Sequence, residues 1–166
     1  MRLTAMTDYS MRLLMYLGGN RERLCTIAEV ARVHGISEPH LMKITHRLAQ
    51  AGWVETTRGK NGGMRLAREP EDISLGAVVR DMENDLAVVA CLGNGQTDCI
   101  LVGQCGLTRI MQGALDQFLA HLDAYTLADI LPARPAQTTS QRTVTGCERK
   151  TDNTASLTSP STSEIT

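Results

Sequence analysis

The feature that most constrains this chain is a pair of short helical periods joined by Gly35-Ile36-Ser37 and followed at once by a glycine-punctuated β pattern. Thr26 opens the first, in which Ile27, Val30 and Ala31 recur at helical spacing up to His34, and Gly35 ends it. Ser37 is a good cap for the second, Pro39 is tolerated in its first turn, Leu41, Ile44 and Leu48 line one face, and Gly52 closes it. Two helices of this length across a three-residue break have the form of a helix-turn-helix. Trp53 to Arg58 then alternates and is rich in β-formers, Gly59 to Gly63 is a glycine-rich turn, and Met64 to Ala67 returns as a second strand. The expected fold is therefore mainly α with a small β-wing: a winged helix-turn-helix.

The rest of the chain is organised around that unit. Met11, Leu13, Leu14, Met15 and Leu17 predict a first helix starting at Thr7 or Asp8 and ending at Gly18-Gly19. Ser74 caps a fourth helix running to about Asp81, after which periodicity is lost through a segment with Gly93, Gly95 and three cysteines. It returns in Leu107, Ile110, Met111, Ala114, Leu115, Phe118, Leu119 and Leu122, a stripe broader than one intramolecular face requires. Such a stripe suits either a long C-terminal dimerisation helix or burial within the monomer. Beyond Leu131 the chain is rich in Thr, Ser, Pro and Gln and is too poor in large apolar side chains to order itself. The expected division is a winged-helix domain over 1–70, a linker helix and cysteine loop over 71–106, a dimerisation helix with a short C-terminal helix over 107–131, and a disordered tail over 132–166. Only 3% of residues are aromatic, so the core must be aliphatic, with eight methionines available as gap-fillers.

The net charge of -1 conceals an asymmetry. Residues 1–70 carry 11 Lys+Arg against 6 Asp+Glu, a net of +5, whereas residues 71–131 carry 2 against 9, a net of -7. The basic part coincides with the helix-turn-helix, which predicts double-stranded operator DNA as its partner. With Leu41, Ile44 and Leu48 inward, a turn of about 100° per residue places Pro39, Met42, Lys43 and His46 on the face that would enter the groove. Ser37 and His40, near the helix start, can reach bases or backbone, while Lys43 and Arg47 are expected on phosphates. At the wing, Arg58, Lys60 and Asn61 stand beside glycines that permit close approach to a phosphate or a narrow minor groove. A solvated basic hairpin is the plain alternative.

Asp8 and Arg12 interrupt what would otherwise be a signal-peptide core, and no apolar run approaches the roughly 18 residues of a membrane span. A cytoplasmic protein is expected. In that reducing setting five cysteines are ligands, reactive thiols or core residues rather than a disulfide framework. Cys91, Cys99 and Cys105 form C-x7-C-x5-C. Three thiolates can hold an iron-sulfur cluster and leave one iron for a weaker, displaceable ligand. Structural zinc ordinarily takes four protein ligands at shorter spacing, and there is no histidine between Arg80 and Ala120. A thiol-redox switch is a third reading. Cys25 stands alone among apolar neighbours and reads as a packed residue, and Cys147 lies in the tail without an assigned role. No nucleophile, base and orienting partner assemble from these motifs, so an enzyme is not expected.

The run Thr7-Asp8-Tyr9-Ser10, the wing Arg58-Gly59-Lys60-Asn61-Gly62-Gly63, the three cysteines and Leu122-Asp123-Ala124-Tyr125-Thr126-Leu127-Ala128-Asp129 together resemble the Rrf-type winged-helix family of iron-sulfur repressors, over about residues 1–131. The stretch after the long helix is most similar to the nitric-oxide-sensing members. That resemblance implies a homodimer in which each cysteine loop holds a four-iron four-sulfur cluster, with a two-iron form less favoured. It implies Asp8, from the other subunit, as the fourth ligand, and nitric oxide as the effector that derepresses detoxification genes. From the residues alone, Asp8 is a helix-start carboxylate able to pair with Arg12. Relatives that regulate cluster assembly carry a histidine three residues after the last cysteine, where this chain has Thr108. An iron-responsive repressor sharing the three-cysteine spacing is the alternative member of the family.

Overall fold

A computed structural model describes residues 3–93, 99–101 and 104–132. The expected disorder of the tail falls, beyond Pro132, outside the described residues, as does Cys147. Helix α1 spans Ala5–Gly19 and starts earlier than the sequence suggests. Its cap is Thr4, whose hydroxyl accepts from the Thr7 N–H at 3.4 Å, so Thr7 and Asp8 fall within the first turn. Leu13, Leu14 and Leu17 are its buried stripe, at the centre of the core.

Helix α2, Ile27–His34, begins with a capping box in which Thr26 and Glu29 satisfy each other's backbone N–H groups, and it ends where Gly35 takes a left-handed φ of 65°. Helix α3, Glu38–Gln50, buries Leu41, Ile44 and Leu48 completely. Ser37 occupies its cap position without a side-chain cap bond. Strands β1, Val54–Thr57, and β2, Gly63–Leu66, pair antiparallel from Val54 opposite Leu66 to Thr57 opposite Gly63. The turn between them needs its small residues: Gly59 and Asn61 have positive φ, and a Cβ on Gly62 would lie 2.3 Å from the Thr57 carbonyl.

The wing is secured by a pairing invisible in local sequence. The Cys25 N–H donates to the Met64 carbonyl at 3.0 Å, and the Met64 N–H returns to Cys25 at 2.8 Å. Cys25 is thus a fully buried residue that makes an isolated β-bridge ahead of α2, and burial pushes its thiol pKa up, in keeping with a packing role.

Helix α4, Leu75–Met82, is capped by Ser74 and carries α5, Gly106–Asp123, across its surface. The chain then turns back. The Leu75 N–H donates to the Tyr125 carbonyl, the Leu127 N–H donates to Ile73, and the short α6, Leu127–Ile130, sinks Leu127 into the core. Leu131 packs on Gly18 of α1, so the first and last described helices meet. The architecture is mainly helical with a two-stranded wing, as expected from the sequence. No helix among the described residues is long and apolar enough to cross a membrane.

Candidate DNA-reading surface and cysteine site

Because α3 buries Leu41, Ile44 and Leu48, its opposite side carries Pro39, Met42, Lys43 and His46 into solvent, and Met42 is 59% exposed. Ser37 is also exposed. His40 is half-buried, with its ring edge-on to Tyr9 of α1 at 5.3 Å between centroids. Arg47 has a structural task that the sequence did not announce: its Nε donates to the Asp81 carbonyl at 3.0 Å, tying α3 to the end of α4. Asp81 also accepts the Trp53 indole N–H at 2.8 Å, and Arg68 lies over the Trp53 ring at 4.4 Å.

At the wing Arg58, Lys60 and Asn61 are exposed. A cleft of about 350 Å³ separates α3 from the wing, lined by Met42, His46, Thr56 and Arg58, with the buried Cys25 and Met64 behind. Arg12, Arg21, Arg23, Arg65 and Arg80 are each engaged with a carboxylate. Lys43, Arg58 and Lys60 form no ion pair among the described residues. Uncompensated cations flanking a protruding helix are what phosphate contacts require.

The cysteine segment starts at a 3-10 turn, Ala90–Leu92, that packs on α5. Cys91 is half-buried there, with Sγ 3.3 Å from Thr108 Oγ1. Cys105 occupies the cap position of α5 without a side-chain cap bond, and the nearby Thr108 N–H, Thr108 hydroxyl and Leu107 N–H favour its thiolate and hold its thiol pKa below the usual range. Two of the three candidate ligands therefore converge on Thr108 at a helix N-terminus. Cys99 is exposed, and among the described residues no group of three or more His, Cys, Asp or Glu is close enough to hold a metal ion. Residues 94–98 and 102–103, which join the three cysteines, lie outside the described residues. The donor chemistry nonetheless suits an iron-sulfur cluster: sulfur ligands without histidine, one of them biased toward thiolate. Asp8 projects from the first turn of α1 and pairs with Arg12 at 3.0 Å, each side chain 49% exposed.

One functional candidate escaped the sequence. Glu83, just past α4, is a buried carboxylate whose Oε1 accepts from the Thr4 N–H, the Thr4 hydroxyl and the Thr7 hydroxyl. A lone acid after a helix carries no periodicity, so only the tertiary contact identifies it.

Comparison with known proteins agrees with this architecture. The chain is 46% identical to the protein aau3 of Rhizobium meliloti over 135 residues, covering 81% of this chain and 88% of that one. It is 45% identical to the HTH-type transcriptional regulator NsrR of Bacillus subtilis over 132 residues, covering 79% and 90%. Among solved structures it is similar to IscR of T. potens, with a TM-score of 0.61 and 27% identity over 78% of this chain and 85% of that one. The family model described as Rrf2, iron-dependent transcriptional regulator, matches residues 3–133. The chain belongs to the Rrf2 family of transcriptional regulators.

Proposed function

We propose that this regulator is a homodimeric repressor that holds a four-iron four-sulfur cluster through Cys91, Cys99 and Cys105, and that nitric oxide acting there releases it from a two-fold-symmetric operator. The observation that carries the sensing half is the convergence of Cys91 and Cys105 on Thr108 at the start of α5. Similarity to regulators named NsrR supports the same reading. As an Rrf2-family member the protein is a DNA-binding transcriptional regulator and not an enzyme.

The chain's own residues divide the work. The start of α3 offers Ser37, Pro39, His40, Met42 and His46 to base edges, Lys43 and the free end of Arg47 meet phosphates, and Arg58, Lys60 and Asn61 reach along the backbone from the wing. Helix α5 keeps Leu107 53% and Ile110 65% exposed, an apolar side that a second copy would cover. In such a dimer the half-sites lie about one helical turn, roughly 34–36 Å, apart. Asp8 of the partner subunit would complete the ligand set. When bound, the cluster supplies iron with an exchangeable position at which a small diatomic ligand can react.

The description of the family as iron-dependent favours a second reading in which iron supply is the signal. Anaerobic purification, visible absorption and operator binding before and after a few equivalents of nitric oxide separate the two. A brown protein that leaves the operator on nitrosylation supports the proposal. A brown protein that leaves only on iron chelation favours iron sensing, and a colourless protein points to zinc or thiol chemistry and refutes the cluster.

A further inference from the structure

Glu83 has no place in the reading above, yet it is the most tightly engaged carboxylate in the described core. It is 8% exposed, and one oxygen, Oε1, accepts from the Thr4 N–H at 2.8 Å, the Thr4 hydroxyl at 3.2 Å and the Thr7 hydroxyl at 2.6 Å. Thr7 is itself fully buried. A buried carboxylate is retained only where its hydrogen bonds offset desolvation, and here all three donors belong to one helical turn. That turn carries Asp8, whose N–H donates to the Thr4 carbonyl at 3.1 Å.

Glu83 is also anchored from behind. Met82 is buried, and Asp81 accepts the Trp53 indole and, through its carbonyl, the Arg47 guanidinium. In the other direction the chain runs eight residues from Glu83 to Cys91. A single fixed post thus links the root of the cysteine segment, the end of α4 and the turn that presents Asp8. We propose that Glu83 is a positioning residue: by clamping Thr4 and Thr7 it sets the direction in which Asp8 leaves α1, and so pre-aims that carboxylate for the partner subunit's cluster. This rests on the ligand assignment above and adds to it the group that orients the ligand. Outer-shell partners of this kind fix the geometry of a first-shell donor without touching the metal.

The test uses the full chain, anaerobically reconstituted with iron and sulfide, as Glu83→Leu, Asp8→Ala and the double variant. Leucine keeps the site filled and removes all three hydrogen bonds. Iron and sulfide content should stay near wild type, because the cysteines are untouched. Glu83→Leu should change the visible circular dichroism of the bound cluster in the same way as Asp8→Ala and speed iron loss to a chelator by about 10-fold. The double variant should go no further than Asp8→Ala alone, since the two residues act as a unit. A purely structural role would lower the melting temperature and leave the cluster dichroism at wild type, which overturns the proposal. If Glu83→Leu fails to fold, Thr7→Val, which removes the 2.6 Å bond to Glu83 and the 3.4 Å hydroxyl contact with Thr4, takes its place in the same comparison. If Asp8→Ala itself leaves the dichroism and chelation rate unchanged, the ligand assignment fails and the proposal with it.

Discussion

Gly76 on α4 lies where α5 crosses, and the substitution Gly76→Ala should destabilise the protein even though it improves the helix. A methyl group there would stand 2.1 Å from Asp123 Oδ1 and 3.0 Å from the Asp123 backbone nitrogen. Swinging the carboxylate aside would break its two 2.6 Å bonds to Arg80, and the Asp123 backbone nitrogen cannot move away with it. Helix propensity favours alanine by roughly 0.5–1 kcal/mol, whereas an added methyl in a closed contact costs roughly 1–3 kcal/mol. The net loss is about 1 kcal/mol, or a melting temperature lower by about 3–4 °C for a chain of this size. The Arg80–Asp123 pair adds little of its own, as both side chains are about two-fifths exposed. Thermal melting followed by far-ultraviolet circular dichroism reads the effect. The double variant Gly76→Ala with Asp123→Ala should recover part of it, because the nearest clashing atom is gone. A Gly76→Ala protein that melts higher than wild type would refute the close-approach argument and leave helix propensity as the only effect.

On DNA, Lys43→Ala should weaken binding to all sequences and lower the salt slope by about 1, whereas His46→Ala should relax preference at one base position, both read by salt-dependent titration with matched operators. Thr26→Ala removes the hydroxyl half of the α2 capping box and should cost about 1 kcal/mol in urea unfolding. Hydrogen bonds from Arg23 and then Tyr16 lower Glu29 from 4.5 to about 2. A depressed carboxylate stabilises the fold above its unfolded pKa and loses that contribution as pH falls, so the urea midpoint should drop between pH 4.5 and about 2, and Arg23→Ala should flatten that slope.

What the sequence made legible was whatever repeats at short range. The Gly35-Ile36-Ser37 break, the inward triad Leu41, Ile44 and Leu48, and the wing turn with Gly59 and Asn61 all appear where the pattern placed them, because turn chemistry and 3.6-residue periodicity are local. The cap of α1 is Thr4, three or four residues before the Thr7 or Asp8 that the sequence suggests. Thr4 sits among Leu3, Ala5 and Met6 and looks like a continuing apolar run, while the later polar pair Thr7-Asp8 imitates a cap. The Cys25–Met64 and Ser74–Thr126 bridges, the Arg47–Asp81 tie and the Glu83 clamp join residues far apart in sequence and leave no local mark. Among the cysteines, spacing singled out one segment as the candidate, and only the fold shows that Thr108, which first mattered as a missing histidine, stands between Cys91 and Cys105.

The breadth of the α5 stripe has a physical consequence for regulation. Within one chain only Leu115 of that helix is buried, while Leu107 and Ile110 face solvent near the Cys105 end. Apolar side chains clustered in this way favour a partner surface over water. At its other end the helix is bound to the DNA-reading head through Arg80–Asp123, the close approach at Gly76 and the pairing of Ile73 and Leu75 with the 125–127 segment. In the proposed dimer, joined along α5, the separation of the two α3 helices would be governed by how α4 sits on α5, and the proposed sensor at the first turn of α5 would act on the element that sets that distance. An operator with fixed half-site spacing would register even a small change there, because both heads must fit one turn of DNA together.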